Sequence, residues 1–158
     1  MKNENKELVD AAEKSLGESK VALRETQVAL VAQHVGLLCM VIGHSKARSA
    51  MLKESIEGTR ETFDGVELSS EQDAEVEGLT VDLERMAEKN AAWPRDTWNA
   101  GLGEREELAS LGVAFDADAV YEVVVASGGD IEVAMPTVIS LLTLTTPGPM
   151  TAYAPAEA

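Results

Sequence analysis

The only histidine and cysteine ligands in this chain are His34, Cys39 and His44. Imidazole and thiolate together are zinc chemistry. Their spacing speaks against it. Five residues of α-helix turn successive side chains by about 140°, so the three cannot converge on one ion within one chain. Each reads as a packed or shoulder residue of a helix. Gly101-Leu102-Gly103 has the outline of a phosphate loop, but a third glycine and a lysine are missing, and Glu104, Glu106 and Glu107 would repel phosphate. Asp116 and Asp118 resemble the start of a calcium loop without its glycine and closing glutamate. There is no Gly-x-Ser-x-Gly. The expectation is a protein without a catalytic, metal or cofactor site.

The elements that would carry these residues are built around Val28–Ile42, VALVAQHVGLLCMVI, interrupted only by Gln33 and His34. Val28, Val31, Val35, Leu38 and Ile42 recur at spacings of three and four, a seam of bulky side chains on one helix face. Val9, Leu16, Leu23, Leu30 and Leu37 form a shoulder that repeats every seven residues, continued by Met51 after His44. Ala29, Ala32, Gly36, Cys39, Gly43, Ala47 and Ala50 form a stripe of small residues, which lets a partner backbone come close. A helix apolar nearly all round is buried or lies in a membrane. This run falls short of the about 20 apolar residues of a comfortable span, so burial in protein is expected and no transmembrane span. Val28, Val31, Val35, Gly36, Leu38, Ile42 and Gly43 are the candidate interface.

The fold class expected is mainly α. Residues 1–65 read as a long helical arm, with no proline before Pro94. Gly17, Gly43 and Gly58 are possible breaks, and Gly43-His44-Ser45 could fold the arm into a hairpin. Unbroken from Asn5 to about Thr62, it would be about 85 Å long, more helix surface than the rest of the chain can cover. Phe63-Asp64-Gly65 ends it. Residues 66–103 read as an acidic helix and a connector. Ser69 or Ser70 caps the helix, with Gln72 or Asp73 placed for a capping box. Val76, Leu79, Leu83 and Met86 give its seam, and Trp93-Pro94 stops it. The connector is Trp93 to Gly103, its two tryptophans anchoring the turn.

Residues 104–146 form a small C-terminal module with two readings. One is a β-hairpin, in which Tyr121, Val123 and Val125 pair across Ser127-Gly128-Gly129 with Ile131, Val133 and Met135. The other is three helices. Leu111, Val113, Ala114, Phe115, Val124, Ala126, Ser127, Gly129, Asp130, Ile131, Glu132, Ala134 and Met135 resemble the ubiquitin-associated (UBA) three-helix pattern, a fold shared by the amino-terminal domain of elongation factor Ts. The resemblance covers residues 108–142. It departs from the pattern at Ala114, where the family has glycine, and at Pro136, inside the third helix. It implies protein binding through Val113 to Phe115. Residues 147–158 have the composition of an extended tail.

The net charge of −15 is uneven. Acids and bases nearly balance up to Arg60. From Glu61 to Glu132 only Arg85, Lys89, Arg95 and Arg105 oppose the acids, and from Val133 to Ala156 there is no charge. Such a surface repels a nucleic-acid backbone, so no nucleic-acid binding is expected. Cys39 is the only cysteine, which excludes an intrachain disulfide and fits a reducing compartment. MKNENKELVD is too polar for a signal peptide. The expected location is the cytoplasm or a particle assembled there. The expected function is a structural assembly subunit that binds copies of itself and other protein subunits, as in a virus or phage particle. The alternatives are an adaptor working through the UBA-like module and an acidic nucleic-acid mimic.

Overall fold

The computed structural model describes residues 2–147. The expected tail lies, from residue 148 onward, outside the described residues. Among the described residues there are five helices and one two-stranded sheet: α1 Lys2–Phe63, α2 Ser70–Ala100, α3 Leu102–Ser110, β1 Val113–Ala114, α4 Ala117–Ala126, α5 Ile131–Ser140 and β2 Thr143–Leu144. The chain is mainly α, with a long N-terminal helix.

α1 is one unbroken helix of 62 residues. The fold-back considered at Gly43 does not occur. Gly17, Gly43 and Gly58 are all helical, and a side chain added at any of them would meet nothing within 4 Å. Glycine costs up to about 1 kcal/mol in a helix interior, too little by itself to break this helix. The reversal comes instead after Phe63, where Gly65 takes φ 70. α2 then returns antiparallel along α1. Its start is capped reciprocally, the Gln72 amide donating to Ser69 Oγ and the Ser69 amide to Gln72 Oε1.

The expected stop at Trp93-Pro94 is also overturned, because α2 runs through Pro94 to Ala100. A proline inside a helix strands the carbonyl four residues before it. Here that carbonyl belongs to Asn90, and Ser45 Oγ of α1 donates to it at 2.9 Å. The Asn90 side chain answers by donating to the Ser45 carbonyl at 2.8 Å and to Ser49 Oγ at 2.9 Å. Ser45, Asn90 and Pro94 are all buried. The partner helix thus supplies the hydrogen bond that the proline removes. Trp93 to Gly103 is therefore helix rather than connector, apart from the break at Gly101.

The C-terminal module is helical, and the β-hairpin reading of residues 121–135 does not hold. The apolar residues there are buried at a spacing of four: Val120, Val124, Ala134 and Val138, none more than 1% exposed. Asp116 caps α4 and Asp130 caps α5, each through one carboxylate oxygen. Between them the amides of Gly128 and Gly129 close the end of α4 on the Val125 and Val124 carbonyls, with φ of 74° and 80°. Pro136 sits on the exposed side of α5.

The strands that do form lie elsewhere. β1 and β2 pair antiparallel, Val113 with Leu144 and Ala114 with Thr143. Gln27 of α1, 3% exposed, donates through Nε2 to the Leu111 and Thr145 carbonyls. That fork ties the small sheet to the long helix. The core is a single cluster in which Val31, Val35, Leu38 and Ile42 of α1 meet Trp98, Leu108, Val113, Val120, Val124, Ala134 and Val138.

Gly36 lies under the start of α5. A Cβ there would stand 3.6 Å from Ile131 Cδ1, an ordinary contact. Alanine fits, whereas leucine must displace Ile131. Gly36→Leu is expected to lower the melting temperature by several degrees, an overpacking cost of about 1–3 kcal/mol. Gly43→Leu, in open space, should leave it unchanged or raise it. Equal melting temperatures for the two variants would contradict this placement.

Candidate interaction surface

α1 carries two neighbouring faces with different fates. Its inner face, Gln27, Val31, Val35, Leu38, Ile42 and Ser45, is buried within the chain. Four of the candidate interface residues, Val31, Val35, Leu38 and Ile42, are thus already covered by α2, α4 and α5 and need no second copy. Val28 and Gly36 are half-buried at the edge of this face, and Gly43 is exposed. Val113 is sealed in β1 at 1% exposure, and Phe115 is half-buried against Trp98 and His34, ring centroids 6.3 Å away in each case. A partner approaching Val113 to Phe115 would meet Ala114 and the rim of a ring.

The outer face is the shoulder. Val9, Leu16, Leu37 and Met51 are each more than half exposed, and Leu23 and Leu30 are half-buried. Residues 3–22 are exposed throughout, including Leu8 at 69% and Val21 at 58%. This first third of α1 projects as a single helix beyond the body. An isolated helix of that length is marginal in water, and its apolar stripe is unpartnered.

Where the outer face passes the body, it borders a cleft of about 400 Å³ lined by His34, Leu37, Met40, Val41, His44, Trp98 and Glu104, among others. The His34 ring tilts against Trp98 at 4.7 Å between centroids. Its Nδ1 stands 3.8 Å from Glu104 Oε2, and Nε2 has no partner among the described residues. Burial pushes the imidazole below its usual range and Arg105 adds to that, against the pull of Glu104. His34 is thus an imidazole packed on an indole. Thr97 lines the same wall. Cys39 lies on the other side, near Asp130; burial raises its thiol pKa. Among the described residues no three histidine, cysteine or acidic side chains could share a metal ion.

No family model, curated protein or solved structure matches the chain.

The other singled-out residues have structural positions. Asp116 Oδ1 accepts from the amides of Asp118 and Ala119 as the α4 cap. Asp118 and Glu122 flank Arg95, 3.7 Å away in each case, while the Arg95 guanidinium stacks over Tyr121 at 4.4 Å. Trp93 carries Arg48 above its ring at 5.2 Å, over a second groove of about 550 Å³ that includes Met51, Leu52 and Met86. Sequence reasoning missed this groove, since it depends on α2 lying beside α1. By length and composition α1 is also the one described helix apolar enough to cross a bilayer, though its inner face is already in contact with α4 and α5.

Proposed function

We propose that this chain is a non-catalytic assembly subunit that associates with copies of itself through the exposed outer face of α1. One observation carries the reading: the helix continues for some 20 residues past its last intrachain neighbours while keeping a stripe of large aliphatic side chains in water. Large aliphatic side chains recurring along one face of a free helix mark an interaction face more than singly scattered ones do.

The magnitudes allow it. Burying Val9, Leu16 and Leu23 from each of two copies brings roughly 1.5–3 kcal/mol per side chain at most. Against this stands an association cost of roughly 4–15 kcal/mol. The terms are of similar size, so association should be reversible and set by concentration.

Sedimentation equilibrium across the micromolar range tests the proposal. The full chain should pass from monomer to a larger species as concentration rises. Leu16→Glu with Leu23→Glu should weaken association by at least about 100-fold, equivalent to roughly 3 kcal/mol, with the helical signal of the body retained. A monomer at every concentration removes the proposal.

A further inference from the structure

We propose that the occupant of the exposed arm is a second copy of the same arm, running antiparallel, with Glu13 of each copy beside Lys20 of the other. This rests on the self-association just argued and adds its orientation.

The first argument is size. Along the exposed stripe the columns alternate between large Val9, Leu16 and Leu23 and, three residues on, small Ala12, Ser19 and Thr26. Two parallel arms in register would stack like on like. Leucine would face leucine in one layer and serine would face serine in the next, so the spacing between axes could not suit both. Antiparallel arms pair each large column with a small one: Val9 with Thr26, Ala12 with Leu23, Leu16 with Ser19. Every layer then has a similar width, as close-packed interfaces require.

The second argument is charge on the flank of the stripe. Lys6, Glu13 and Lys20 recur every seven residues beside the large column. Antiparallel helices bring this flank against its own copy. In the alignment above, Glu13 meets Lys20 twice, once on each side of the twofold axis. In a parallel pair the same flank would meet Leu8, Ser15 and Ala22, none of them charged. Flanking charges of this kind set partner orientation.

The third argument concerns the bodies. Residues 2–25 hold five basic and six acidic side chains, so nearly all of the net charge of −15 lies outside the arm. Parallel arms would set two acidic bodies side by side. In the antiparallel alignment Gln27 of one copy lies opposite residue 8 of the other. The two bodies are then offset by about 28 Å along the axis at 1.5 Å per residue. That exceeds three screening lengths of about 8 Å at physiological salt, so the bodies hardly repel each other.

Cysteine cross-linking reads the orientation directly. With Cys39→Ala removing the native thiol, Val9→Cys and Thr26→Cys are made separately; both positions are exposed in the arm. A disulfide needs Cα atoms within about 7 Å. Under mild oxidation each variant alone should stay unlinked. Their equimolar mixture should form at least about tenfold more linked dimer than either variant alone, because only the mixture places two thiols within that reach. Glu13→Lys should weaken the dimer, and adding Lys20→Glu should restore it. Linking within each variant alone would show parallel arms, overturning the orientation while self-association stands. Dimeric mass with no linking in any combination would place the contact on another face and overturn the arm pairing. Monomeric mass throughout would remove both this inference and the self-association beneath it.

Discussion

Trp98→Ala is expected to lower the melting temperature by about 6–20 °C. Trp98 is 3% exposed and joins three parts of the molecule. Its ring packs on His34 of α1 and lies near Phe115 beyond β1. Its Nε1 donates to the Ala117 carbonyl at 2.8 Å, at the start of α4. Arg105 of α3 stacks over it at 5.0 Å and donates to its carbonyl. Truncating a buried tryptophan costs about 3–5 kcal/mol, and a chain of this size loses about 2–4 °C per kcal/mol. Trp98→Phe separates the contributions. It keeps an aromatic ring but removes the indole donor to the Ala117 carbonyl, a hydrogen bond worth about 0.5–1.5 kcal/mol. Thermal unfolding followed by circular dichroism should rank the parent above phenylalanine and phenylalanine above alanine. An alanine variant melting within about 2 °C of the parent would show that the C-terminal helices are held on α1 by other contacts.

Gly112→Ala should be comparably severe for a different reason. Gly112 has φ 85, a conformation that costs an L side chain about 1–2 kcal/mol by itself. Its missing Cβ would also overlap the Thr145 carbonyl oxygen and crowd Gln27 Nε2. Making room pulls apart the Thr145 amide bond to the Gly112 carbonyl and the Gln27 fork, each worth about 1 kcal/mol. The expected total is about 3–5 kcal/mol by summing those contributions. Gly65→Ala is the control, since Gly65 has φ 70 with open space around it and should lose only the backbone part. Urea unfolding of the two variants compares them. Equal losses would mean that the β1–β2 closure contributes little.

The helical character of α1, the Ser69 cap and the apolar seam were legible because each is local: a period, a side-chain type, a short spacing. What failed was not local. Pro94 stops a helix by rule, and the rule gives way to Ser45, forty-nine positions earlier, which no window around the proline contains. The valine-rich stretch around Val123 has the β-branched density of a strand; its burial follows a spacing of four because Asp116 and Asp130 cap it at both starts. Two-residue strands such as Val113–Ala114 are too short to show alternation. Val31, Val35, Leu38 and Ile42 read correctly as a seam needing cover. That the cover comes from α4 and α5 follows from α2 returning the chain to the middle of α1, a long-range outcome that residue spacing does not encode. The cleft at His34 depends on the same return, since Trp98 and His34 are far apart in sequence.

The hydrogen-bonded exchange between Ser45 and Asn90 also fixes where α2 can sit. Two aliphatic helices packed along each other are nearly indifferent to a slip of one turn, about 5.4 Å, because one leucine replaces another at each contact. Leu52, Ile56, Leu83 and Ala87 alone would tolerate such a slip. The carbonyl freed by Pro94 would not. Shifted by a turn toward Val41, it would face aliphatic side chains instead of the Ser45 hydroxyl, buried and unpaired. A residue that by rule ends helices therefore serves this hairpin as a register mark against a slip in that direction.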